Sequence, residues 1–189
     1  GLVTVRNPAG TGSSSTIFTV TPMPAPLLVA AGGSHSCATF TDGTLRCWGL
    51  NTWGQLGDGS TATRISPVVV RRSASDGSAM TGVRSLAAGG STSAPAFTCV
   101  ALTDGTARCW GANGSGQLGI GATTPAQITT PVVVRTSAAV AGPLSGVRQV
   151  SAGLGHACAA LTDGTAVCWG ANASGQLGNS AVTTSTSTS

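Results

Sequence analysis

The feature that most constrains this chain is a thirteen-residue phrase that occurs three times. CATFTDGTLRCWG at 37–49 returns as CVALTDGTARCWG at 99–111 and as CAALTDGTAVCWG at 158–170. Facing residues of a hairpin have position numbers with a constant sum, and each cysteine pair is centred on an aspartate: Asp42, Asp104 and Asp163. A three-residue Thr-Asp-Gly loop, with its glycine left-handed, gives that odd-numbered register. In the first copy Phe40 and Thr44 then close the loop, and the cysteines face each other three pairs out. Such a non-hydrogen-bonded pair has Cα atoms ~4.5–5.5 Å apart, within reach of a disulfide. A two-residue turn would throw the sulfurs onto opposite faces. The spacing therefore predicts bridges Cys37–Cys47, Cys99–Cys109 and Cys158–Cys168. Metal is the rival use of six cysteines and two histidines, but C-x9-C is not a zinc spacing and the second unit has no histidine. Each bridge closes a short loop and contributes roughly 2–3 kcal/mol, mostly by restricting the unfolded chain. Bridges that persist imply an oxidising compartment, hence a secreted, extracellular or cell-surface protein.

The first cysteines recur at intervals of 62 and 59 residues, so the repeat is about 60 residues long. Each unit opens on a short apolar strand: LLVAAGG (27–33), VRSLAAGG (83–90), VRQVSAG (147–153). The cysteine hairpin follows, then a Gly-rich bend: LNTWGQLGDGS, ANGSGQLGIGA, ANASGQLGNSA. The first two units add a β-branched strand, SPVVVRR (66–72) and TPVVVRT (130–136). About four short strands per unit is the plan of a propeller blade, and the fold expected is all-β. The chain divides into an N-terminal strand segment with a Pro-rich linker (1–25), repeat 1 (26–82), repeat 2 (83–146), an incomplete repeat 3 (147–180) and a flexible Ser/Thr tail (181–189) that suits O-linked sugar. Its opening on Gly points to a processed or excised piece of something longer.

Composition excludes several functions. All nine cations are Arg, all five anions are Asp, and there is no Tyr; only 7% of residues are charged. A net charge of +4 with dispersed arginines and few aromatics is not a nucleic-acid groove. No apolar run reaches the ~18 residues of a membrane span.

The unit AGGSHSC…LTDGT…CWGxNxxGQLG is similar to the regulator of chromosome condensation repeat, whose members form seven-bladed β-propellers. The resemblance covers residues 27 to about 180, and the cysteine pair resembles a variant common in secreted bacterial members. Nothing matches the loop residues of the family's guanine-nucleotide exchange factor, so that activity is not implied. LVTVRNP (2–8) and STIFTVTP (15–22) resemble the last hairpin of an IPT/TIG-type immunoglobulin-like domain.

Among single residues, His35 and His156 precede a cysteine by two positions, read either as acid/base groups or as imidazoles bonded to backbone between blades; unit two lacks the residue. Asp42, Asp104 and Asp163 sit where a turn prefers Asp for its own backbone bond. Trp48, Trp110 and Trp169 follow the second cysteine and would lie on the opposite face, against a neighbouring blade. Trp53, unmatched in the other units, is a candidate contact residue or local packing. Asn113 and Asn172 fit the Asn-x-Ser/Thr glycosylation pattern, although the same Asn recurs as a turn residue. No paired carboxylates, catalytic constellation, metal site or cofactor motif is present.

Three blades do not close a seven-bladed ring. Surplus strands at the N-terminus and a missing outer strand in repeat 3 invite head-to-tail strand addition between copies, giving a ring or a filament. The reading is a non-catalytic extracellular structural or adhesive repeat protein that self-associates. The alternative is a module binding a protein ligand through Trp53, Arg64, Arg71 and Arg72, resembling propeller-type inhibitors of bacterial β-lactamases.

Overall fold

The computed structural model describes residues 24–135, 142–178 and 187–188. Within these residues twelve strands form three antiparallel four-stranded sheets. The first sheet, blade 1, is β1 (Pro26–Ala31), β2 (His35–Phe40), β3 (Leu45–Gly49) and β4 (Arg64–Val69). Blade 2 is β5 (Val83–Gly89), β6 (Phe97–Leu102), β7 (Ala107–Ala112) and β8 (Gln127–Val133). Blade 3 is β9 (Val147–Ala152), β10 (His156–Leu161), β11 (Ala166–Gly170) and β12 (Ser187–Thr188). Within each blade the strands pair in chain order, so every sheet is a meander. The surplus N-terminal strands expected before residue 24 lie outside the described residues.

The central hairpin of every blade has the register that the aspartate centring predicts. Cys37 pairs with Cys47, Cys99 with Cys109 and Cys158 with Cys168, and all three pairs are bridged. Phe40 N–H donates to the Thr44 carbonyl at 2.9 Å, and Gly43 N–H to that of Phe40, closing the three-residue loop. Gly43, Gly105 and Gly164 take φ of 80°, 82° and 89°, the conformation only glycine adopts cheaply. Asp42 Oδ1 accepts both the Thr44 N–H and hydroxyl, and Asp104 and Asp163 repeat this with Thr106 and Thr165. The aspartates are turn residues. The bridged Cα atoms are 4.0–4.1 Å apart, somewhat nearer than the ~4.5–5.5 Å expected of a facing pair.

The core lies between sheets. Cys37, Leu45, Cys47, Leu56, Val70 and Met80 of blade 1 pack against Val100, Leu102 and Trp110 of blade 2. A second cluster joins Phe97, Cys99, Cys109, Leu118 and Val134 of blade 2 to Val147, Val150, Ala157, Ala159 and Trp169 of blade 3. All six residues of β6 are consequently buried, since blade 2 is covered on both faces. In β10 and β11 the residues facing blade 2 are the more buried ones.

Two expectations change. Repeat 3 has an outer strand: Ser187 and Thr188 pair with Gly170 and Trp169, so the tail contributes the fourth strand of blade 3. The sequence hides it because a two-residue strand held by backbone bonds needs no apolar pattern. The other change concerns Asn113 and Asn172, whose side chains are buried rather than displayed.

Candidate functional site: the blade seams and the two outward sheet faces

The Gly-rich bend after each hairpin is a knob bonded to itself. Asn51 Oδ1 accepts the Leu56 N–H at 2.9 Å, and Gln55 Oε1 accepts the Trp53 N–H at 2.9 Å. Asn113 with Gln117 and Asn172 with Gln176 repeat both contacts. The Asn113 Nδ2 also donates to the Ala122 and Pro125 carbonyls. Both side chains are buried and bonded within their knobs, which favours the turn role over the glycosylation reading for Asn113 and Asn172.

The knob orients the glutamine main-chain carbonyl toward the following blade. Trp110 Nε1 donates to the Gln55 carbonyl at 2.8 Å, and Trp169 Nε1 to the Gln117 carbonyl at 2.9 Å. The indole also lies over the glycine that ends the knob: a Cβ built on Gly57 would fall 2.7 Å from Trp110 Nε1, and one on Gly119 3.0 Å from Trp169 Nε1. Both glycines are left-handed, at φ 69° and 64°.

The first seam carries one more contact. Thr98 Oγ1 donates to the same Gln55 carbonyl at 2.8 Å, and His35 Nε2 lies 2.9 Å from Thr98 Oγ1. The hydroxyl's single proton is committed to Gln55, so His35 Nε2 carries the ring proton and donates. His35 Nδ1 is then a bare acceptor, buried, with no donor among the described residues. Burial lowers the His35 pKa from 6.5 to about 4. The imidazole does sit between blades, but its partner is a side-chain hydroxyl 63 residues away, not the backbone.

The candidate contact residues do not converge on one point. Arg64 is held by Asp58, at 2.9 Å, and Arg72 lies 3.9 Å from Asp76. Hydrogen bonds from Ser60 and Arg64 hold the Asp58 pKa below its usual value despite the opposing effect of burial. Arg71 is exposed beside Gly59 and makes no ion pair among the described residues. Trp53 is half-buried on the first knob. An open groove of about 910 Å³ runs along the outer edge of blades 1 and 2, floored by Ile120, Ile128 and Val132 and bordered by Arg108 and Arg135. No group of three His, Cys, Asp or Glu suited to a metal occurs among the described residues. Among the described residues no helix is long and apolar enough to cross a membrane.

The repeat model for the regulator of chromosome condensation (RCC1) repeat matches residues 28–55, 83–117 and 147–176, and a second model of the same repeat matches 42–94 and 104–160. This chain belongs to the RCC1-repeat family. It is 31% identical over 153 residues to the mouse X-linked retinitis pigmentosa GTPase regulator, which covers 81% of this chain. Over 154 residues, or 80% of the chain, it is 30% identical to the ultraviolet-B receptor UVR8 of Arabidopsis thaliana. The chain spans 14% and 31% of the lengths of these two relatives. Among solved structures, Saccharomyces cerevisiae Prp20p, described with its binding to Gsp1p and histones, aligns with a TM-score of 0.62 at 20% identity. That alignment covers 86% of this chain and 36% of Prp20p. Human WBSCR16 aligns with a TM-score of 0.58 at 24% identity, over 77% and 33% of the two chains. At such identities the structural likeness concerns the fold: the RCC1 blade, here an array of three.

Sequence reasoning missed Gln55 and Gln117 as seam residues. The signal was present, because GQLG is the one stretch identical in all three bends.

Proposed function

We propose that this RCC1-repeat array is a non-catalytic protein-binding module of the extracellular space that acts by associating with further blades, including those of its own copies. The observation that carries this reading is where four of the five exposed large apolar side chains among the described residues lie. Ile65 is 99% exposed, Val29 67% and Val69 41%. All three lie on the face of blade 1 turned away from blade 2: Val29 pairs with Ala38 and Val69 with Arg46, and Ile65 aligns with Thr129, which abuts blade 1 at Gly54. Leu154, 63% exposed, occupies in blade 3 the loop position of Gly33, which abuts Ser91 of blade 2. Isolated apolar groups on a surface mean little, but a set gathered on the outward faces of a stacked array supports an interface there. The three bridges support an oxidising location. Trp53, Arg64, Arg71 and Arg72 remain candidate contacts for a different protein ligand, with Arg71 the most available of the four.

Multi-angle light scattering across a hundredfold concentration range tests the proposal. Mass that rises with concentration is expected, and mass fixed at one chain up to the highest concentration contradicts it. Thiol labelling of the protein isolated from its source without reductant tests the compartment: free cysteines would exclude it.

A further inference from the structure

One difference between the two internal seams is systematic. Aligned on the cysteines, His35, Phe97 and His156 occupy one position, and Ser36, Thr98 and Ala157 the next. The first of each set faces the following blade, and the second faces the preceding one. At the first seam His35 meets Thr98, and the hydroxyl links the imidazole to the Gln55 carbonyl. At the second, Phe97 of blade 2 and Ala157 of blade 3 are both buried in the same cluster, an apolar pair with no hydroxyl to satisfy. Histidine thus goes with hydroxyl, and phenylalanine with methyl.

The outward faces carry the two residues left over: His156 on blade 3 and Ser36 on blade 1. These form the polar combination of the first seam. The other seam groups are duplicated as well. On blade 3 the Gln176 carbonyl accepts no bond from a described residue, and a Cβ on Gly178 would meet nothing within 4 Å, where Gly57 and Gly119 meet an indole. On blade 1 the half-buried Trp48 is the matching indole, and its Nε1 has no acceptor among the described residues.

We infer that the outward face of blade 3 receives the outward face of blade 1 of a second copy, with Ser36 meeting His156, and Trp48 lying over Gly178 to donate to the Gln176 carbonyl. The contact is heterologous, because one face is not a copy of the other, so copies add head to tail in a ring or a filament. It deepens the proposed self-association by naming a sheet-stacking contact in place of strand addition. An unrelated partner would have no reason to fit both the imidazole and the indole cradle.

The test exchanges one seam chemistry for the other. His156→Phe opposite Ser36, or Ser36→Ala opposite His156, leaves a mismatched polar group in the seam and weakens association about tenfold. The double variant H156F/S36A rebuilds the Phe97–Ala157 pair and restores association to within about threefold of the parent, measured by sedimentation velocity. Both side chains are on outward faces, and unchanged circular dichroism and unfolding midpoints confirm folded protein. Trp48→Phe keeps the ring and removes the donor, and its quenched or blue-shifted parent fluorescence on assembly gives an independent readout. Association that ignores all four variants overturns this contact while leaving self-association standing. Single-chain mass at every concentration overturns both.

Discussion

Acidification tests the buried imidazole of His35. Its ring is neutral in the folded protein down to about pH 4, whereas in the unfolded chain it takes a proton near pH 6.5. Below pH 6.5 the unfolded state therefore binds more protons, and stability falls as the pH falls. The loss grows from about 0.8 kcal/mol at pH 6 to about 2 at pH 5 and about 3 at pH 4, and then levels off. The aspartates act lower. Hydrogen bonds from the neighbouring threonine or serine depress Asp42, Asp76, Asp104 and Asp163, so their contribution is present above 3.8 and is lost only below it. Guanidinium unfolding with the bridges intact, at half-unit steps from pH 7.5 to 4, measures the effect. His35→Gln keeps a donor toward Thr98 without titrating, and parent minus variant should trace this curve. Parallel pH dependence of the two proteins between 6.5 and 4 would refute a neutral, buried imidazole in the first seam.

Trp110→Ala should cost about 3–5 kcal/mol by emptying the first seam, whereas Trp48→Ala measured on dilute monomer should cost much less; equilibrium unfolding of both compares them. Limited reduction followed by alkylation and peptide mapping should label Cys158 and Cys168 first, since blades 2 and 3 bury the other two bridges while Cys158 is half-exposed. Gly119→Ala should lower the unfolding midpoint more than Gly178→Ala: both pay the left-handed strain of about 1–2 kcal/mol, but only the first collides with an indole. Expression in a glycosylating secretory host should leave peptides containing Asn113 and Asn172 unmodified by mass, because both amides are buried within their knobs.

What could be read from the sequence was whatever the chain encodes locally or repeats. The hairpin register followed from the position of an aspartate between two cysteines, because turn geometry fixes pairing over a few residues. Assigning the tryptophans to a neighbouring blade needed only the alternation of strand faces. Contacts set by non-local packing stayed hidden. Nothing near His35 announces Thr98, and the Asn113 sequon looks exposed until Ala122 and Pro125 are seen to occupy its amide. The pairing of histidine with hydroxyl and phenylalanine with alanine was present in the letters, but which blade each residue faces comes from the stacking order.

Each bridge is confined to its own hairpin, with nine residues between the joined cysteines, and none crosses a seam. Tension applied along the polypeptide would accordingly pull neighbouring sheets apart before it strained any covalent tie. As each sheet then unravelled, its sulfur link would withhold roughly 29–32 Å of slack, the extended loop less the distance the bridge already spans. Adding a reductant should release three such increments as extra length in a force–extension trace, without changing the load at which the stack first slips.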